Sequence, residues 1–187
     1  MNRKEFLRSC ACGFCACALA NVPVAAADAA APAPEKPKPE DWRFGFVKQR
    51  YGRLLENLHR RLGGAGLDDA LREQGRFCAS TYDLVQKHKG DLDGFIAAFA
   101  AQTKQDVTYD RATGVIVAAG PETKDCFCPL IDTKTTPPSA CNCSLGWNQY
   151  VFETTSGRKC ECTLKESVLR GGKRCAFEIK VTDQPLA

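Results

Sequence analysis

Three Cys-x-Cys pairs, Cys126-Phe-Cys128, Cys141-Asn-Cys143 and Cys160-Glu-Cys162, crowd one stretch of this chain, with Cys78 before them and Cys175 after. On extended backbone, residues i and i+2 project to the same side. Each pair can therefore aim two sulfurs at one partner. Four thiolates suit a tetrahedral zinc ion or an iron–sulfur cluster. The first two pairs flank a Pro-containing loop, which predicts one compact metal site made by Cys126, Cys128, Cys141 and Cys143. Cys143 stands just before a predicted helix, where backbone N–H groups and the helix dipole favour a thiolate. The Cys-x-Cys spacing is less specific than the Cys-x-x-Cys spacing common in zinc fingers.

Disulfides are the competing reading. The eight cysteines outside the leader are even in number, and an exported chain meets an oxidising compartment. Eight cysteines allow 105 connectivities, so no pairing is assigned. Cys160, Cys162 and Cys175 make a second group, for metal or disulfide. A hairpin centred on Gly171 sets Cys175 roughly 13 Å from Cys162 along the strands, beyond disulfide reach. Cys78 is predicted on the apolar side of a helix, as a core thiol. A third reading is a small-heterocycle hydrolase with a cysteine nucleophile. Its weakness is the base: His59 and His88 fall on charged helix faces, and the chain has no Ser-His-Asp or His-Glu-x-x-His pattern. Enzymatic activity is left open.

The elements that must position these thiols begin after a leader. Residues 1–27 read as a cleavable signal peptide: basic Met1–Ser9, small and apolar Cys10–Ala20, then Val24-Ala25-Ala26-Ala27. Asn2-Arg3-Lys4-Glu5-Phe6-Leu7-Arg8 resembles the twin-arginine export motif, with Lys4 in place of the second arginine. The apolar run is too short to span a bilayer, so no stable membrane anchor is expected, and the destination is the periplasm or the exterior. Cys10, Cys12, Cys15 and Cys17 have no convincing lipobox before them and leave with the leader. Residues 28–40 are an Ala- and Pro-rich linker that stays extended. Removing Arg3, Lys4, Arg8 and Glu5 takes two charges off the formal +4. What remains is too weak for a nucleic-acid partner.

Residues 41–187 are then one cysteine-rich domain of α+β class, an N-terminal helical layer packed on a C-terminal antiparallel sheet. Asp41 caps a helix running to about Leu62, with Tyr51, Leu55 and Leu58 on one face and Gly63-Gly64 at its end. A second helix is predicted from about Leu67 to Lys87, and a third opens at Asp91. The period then changes. Val107–Tyr109 and Val115–Ala119 read as a hairpin, Ser144 begins a short helix closed by Gly157, and Lys159–Lys165 and Arg174–Val181 form two strands.

Two segments carry a family resemblance: Cys141-Asn-Cys-Ser-Leu-Gly-Trp147, and Glu166-Ser-Val-Leu-Arg-Gly-Gly-Lys-Arg-Cys-Ala-Phe-Glu-Ile179. They resemble the end of 4-vinyl-reductase-like small-ligand domains and of aminothiazoline-carboxylate hydrolase-like proteins, which close on a strand, a Gly-containing turn and a Cys-x-Phe-x-Ile strand. The resemblance implies an α/β ligand-binding fold with a pocket between helices and sheet, and cysteine-linked metal or ligand binding. The partners expected are thus a metal ion and a small-molecule ligand.

Overall fold

Residues 42–186 are described in the computed structural model of this chain. The predicted signal peptide and linker lie outside the described residues. Helix α1 (Trp42–Ser80) is one assigned run, but Gly63 inside it has φ 72° and ψ 177°. Only glycine adopts that combination at ease, so the chain turns a corner where the Gly-Gly signal places the end of the first helix. The second helix does not run on to residue 87. Ser80 Oγ donates to the Phe77 carbonyl at 2.8 Å and Thr81 Oγ1 to the Cys78 carbonyl at 2.9 Å. Such side-chain bonds compete with helix propagation, and a separate short helix α2 (Asp83–Lys87) follows. Asp91 caps α3 (Leu92–Thr103), accepting from the Gly94 N–H at 3.0 Å.

The sheet is antiparallel, in the order β1-β2-β4-β3, from β1 (Asp106–Asp110), β2 (Val115–Ala119), β3 (Arg158–Glu166) and β4 (Ala176–Pro185). The register aligns Tyr109, Ile116, Ile179 and Cys162 in one row and Val107, Ala118, Phe177 and Leu164 in the next. These rows meet Phe95, Phe99, Val151 and Phe152 from the helices in one apolar core. The expected α+β class and its layered order hold.

Helix α4 (Cys141–Ser156) connects β2 to β3 across this core. It starts three residues before the predicted Ser144. The 3-10 turn Pro138–Ala140 places proline at its first position, where the fixed φ suits helical backbone, and Cys141 continues it with αR dihedrals. α4 crosses α1 at very close range, glycine on backbone. A Cβ at Gly75 would stand 2.7 Å from Trp147 N, and one at Gly146 would stand 2.6 Å from Arg72 Cα. A buried carboxylate ties the same helices: Glu153 accepts from Arg76 at 3.1 and 3.2 Å and from Gln149 at 2.9 Å.

Candidate thiol site

Because α4 begins at Cys141, the Cys141-Asn-Cys143 pair lies in a helical first turn and not on extended backbone. Successive helical residues are about 100° apart, so i and i+2 differ by about 200° and point away from each other. The expectation that both sulfurs of this pair share a side is corrected by the helix. Cys141 meets Ser167, its Sγ 3.1 Å from the hydroxyl Oγ. Cys143 packs instead against the cluster of Leu55, Leu67, Leu71 and Ala140, as do Tyr51 and Ile131.

The Cys141 side is built on the corner after β3. Ser167 is buried and caps the 3-10 turn Val168–Arg170. The next backbone N–H, of Val168, donates to the Cys175 thiol. Adjacent residues of one corner thus hold Cys141 and Cys175 beside each other. Two backbone bonds run the outgoing end of β2 along this corner, Gly120 N to Cys175 O and Thr123 N to Lys173 O, each 2.9 Å. That path delivers Cys126, whose electrostatic neighbours are Cys175, Cys141 and Cys128.

The Cys143 side takes the other member of the loop pair. Cys128 closes a turn in which Ile131 N donates to its carbonyl at 3.1 Å, and Ile131 packs in the cluster that holds Cys143. On α1, Cys78 stands one turn beyond Gly75, whose backbone touches the Cys143 carbonyl. Gln74 Nε2 donates to the Cys78 sulfur at 3.5 Å. Cys78 is exposed. Its placement as a core thiol is therefore corrected: its side chain faces outward, and Ala79 takes the buried position.

Electrostatically, Cys126 is a neighbour of Cys141, and Cys128 of Cys143. Cys175 joins the first couple and Cys78 the second. Sequence reasoning missed Ser167 and Tyr51 beside these thiols. The signal for Ser167 was its position as a turn cap one residue after Glu166.

Burial pushes the Cys126 thiol up to about 11, with the neighbouring Cys175, Cys141 and Cys128 adding to it. Cys143 is likewise pushed up to about 11 by burial, then by Cys78 and Cys128. The Tyr51 phenol rises to about 12, by burial first and then by Cys143, Cys128 and Cys78. Like charges at close range disfavour one another, so the Cys126 and Cys143 thiols sit protonated near neutral pH. Among the described residues no group of three or more His, Cys, Asp or Glu side chains is arranged to hold a metal ion as placed. All eight described cysteines are free thiols.

Cys160 and Cys162 are elsewhere. Both face the core from β3, where burial raises their thiols to about 11 and about 12. Their neighbours are Glu153, Arg72, Arg76 and Ser156. Cys175 is not with them. Cys162 pairs with Ile179, four residues along β4, close to the separation the hairpin predicts.

Both histidines lie apart from the thiols. His88 Nδ1 is 3.2 Å from Asp91 Oδ2 at the start of α3, and His59 is exposed on α1. Neither is placed to activate a cysteine. A groove of about 390 Å³ at the hairpin end of the sheet is lined by Tyr109, Arg111, Arg158, Glu161, Lys180 and Asp183 among others, with no cysteine.

Comparison with solved structures identifies the architecture. A trafficking protein particle complex subunit 3 from Naegleria fowleri, solved covalently bound to palmitic acid, matches 78% of this chain and 99% of its own. The match has a TM-score of 0.50 and 15% identity. The chain has the fold of that subunit. The phenol-responsive sensory domain of the transcription activator PoxR, solved with phenol, is similar at a TM-score of 0.47 and 16% identity. That match covers 72% of this chain and 74% of the other. No protein-family model matches the sequence, and no curated protein matches it either. No described helix is long and apolar enough to cross a membrane.

Proposed function

We propose that residues 41–187 are an exported binding domain that takes up one soft metal ion, zinc by choice of donors, through Cys126, Cys141 and Cys175. The observation that supports this is the Ser167–Val168 corner. It holds two cysteines from distant parts of the chain together and runs the third in on a hydrogen-bonded strand end. Three thiolates leave a fourth position for water or Glu166, which neighbours Cys175. An iron–sulfur cluster would ask for a fourth thiolate. The thiols as placed do not close around an ion, so uptake draws the exposed 121–130 loop inward. Binding then costs the loss of protons, from Cys126 and Cys175 against a raised tendency to hold them, and is repaid by metal–sulfur bonds.

Metal analysis tests this on protein made in zinc-supplemented medium and purified without oxidation. One equivalent of zinc is expected, lost in Cys141→Ser and Cys175→Ser and kept in Cys78→Ser. Metal-free protein under those conditions, or zinc that survives both losses, overturns the proposal.

The covalent palmitate in the subunit of the same fold favours a second reading, a small-molecule-binding domain. Thermal unfolding with and without palmitate separates the two readings. A rise in Tm with palmitate on metal-free protein supports the second and is not expected of the first.

A further inference from the structure

The Cys143 side of the split pair has a chemistry of its own. Cys128 is exposed on its loop and Cys78 is exposed on α1, and both are electrostatic neighbours of the half-buried Cys143, which packs against the cluster of Leu55 and Ala140. The Cys128–Ile131 turn runs the loop to the cluster against which Cys143 packs, and Gly75 lays α1 against the Cys143 backbone. Two exposed sulfurs beside one sheltered sulfur, with His59 and His88 elsewhere, make a poor hydrolytic site and a serviceable exchange site. We propose that Cys128, Cys143 and Cys78 form a thiol–disulfide exchange site, in which Cys128 receives the incoming disulfide and Cys143 resolves it.

The oxidant is a disulfide donor, RS–SR, either a small-molecule disulfide or the disulfide of an oxidase. The Cys128 thiolate attacks one sulfur of RS–SR, forming a mixed disulfide, and the first RS⁻ leaves and takes up the proton that Cys128 gave. Cys143 then attacks the Cys128 sulfur as its proton passes to the departing sulfur. That step forms the Cys128–Cys143 bond and releases the second RS group as RSH. Two protein thiols are oxidised and one disulfide is reduced to two thiols. Cys78 is the third sulfur of the group, able to attack the new bond and reopen it. Closure fastens the 121–130 loop to the first turn of α4.

This inference does not rest on metal uptake, which uses the other cysteine of each pair. The test treats the reduced, purified chain with oxidised glutathione and maps the products by mass spectrometry. The wild-type protein is expected to yield a Cys128–Cys143 linked peptide with no glutathione retained at either residue. Cys143→Ser should stop at the mixed disulfide, carrying one glutathione on Cys128. Cys128→Ser, at an exposed site, should lose the internal bond and leave zinc content unchanged. A wild-type protein that keeps glutathione on Cys128, or that links Cys128 to Cys126, Cys141 or Cys175 instead of Cys143, overturns the proposal. Should Cys143→Ser lose its helical signal in circular dichroism, Cys128→Ser alone still decides.

Discussion

Cys141-Asn-Cys143 and Cys160-Glu-Cys162 have the same spacing and opposite fates. On β3 the two sulfurs point to one side, into the core, and meet Glu153, Ser156 and two arginines but no further thiol partner. On the first turn of α4 the two sulfurs diverge, and each finds a cysteine from the loop and one from a distant element. A period of two gathers a Cys-x-Cys pair, whereas a period of 3.6 divides it. The divided pair is the one on which both proposed sites rest, because it recruits from two directions. Spacing alone carries no such information until the element beneath it is known.

The largest effect should come from pushing the two helices apart. Gly146→Val places branched carbons against the Arg72 backbone, and overpacking of this kind costs about 1–3 kcal/mol or more. Urea unfolding should show the loss, and a midpoint within error of wild type would break the account of the crossing. Next is Cys160→Ser, which puts a hydroxyl at a position 4% exposed. A cost of about 1–2 kcal/mol is expected, with zinc content and exchange unchanged. Loss of either function there would join the two regions that the comparison separates.

The strand pair should also make the fold sensitive to alkali. Cys160 and Cys162 are held at about 11 and about 12, above the ordinary thiol value of about 8.5. The folded state therefore binds these protons more tightly than the unfolded chain. The resulting stability is fully present below the unfolded value and is lost as pH rises from about 9 through 11 to 12. Urea midpoints at pH 8 and pH 10 should fall with pH, and the fall should shrink in Cys162→Ala. The gentlest test rearranges the helix pair by one residue. Cys143→Ser with Ser144→Cys converts the spacing to i and i+3, about 60° apart on the helix. Stability should fall by no more than about 1 kcal/mol, for a hydroxyl in the half-buried place of Cys143, while the linked peptide to Cys128 disappears. A link that persists through position 144 would blunt the comparison.

Much of the fold was legible in the sequence. Tyr51, Leu55 and Leu58 announced the helical face, Gly63 the corner, and the alternation through Cys160, Cys162 and Leu164 the inner side of β3. The loop pairs were also legible as neighbours along the chain. Their division was not, because Ser144 is the better capping residue and drew the predicted helix start past both cysteines. Pro138 in a 3-10 turn moved that start back. Cys78 misled for a related reason: it lies beside the apolar stripe of α1, and a one-position error in a helical face turns a thiol from core to solvent. Ser167 and Cys175 meet Cys141 only through a corner whose geometry no local pattern encodes.

The corner at Gly63 has a consequence for protein chemistry by synthesis. Its φ of 72° and ψ of 177° are the mirror image of ordinary extended backbone for an L-residue. A D-alanine at position 63, introduced by ligating two synthetic segments, would meet this conformation as its own preference. It would also narrow the freedom of the unfolded chain, a gain of about 0.4–1 kcal/mol by the reasoning that applies to glycine replacements. L-alanine at the same exposed site should lose stability. The two enantiomers, differing in nothing but handedness, would report the corner with opposite signs.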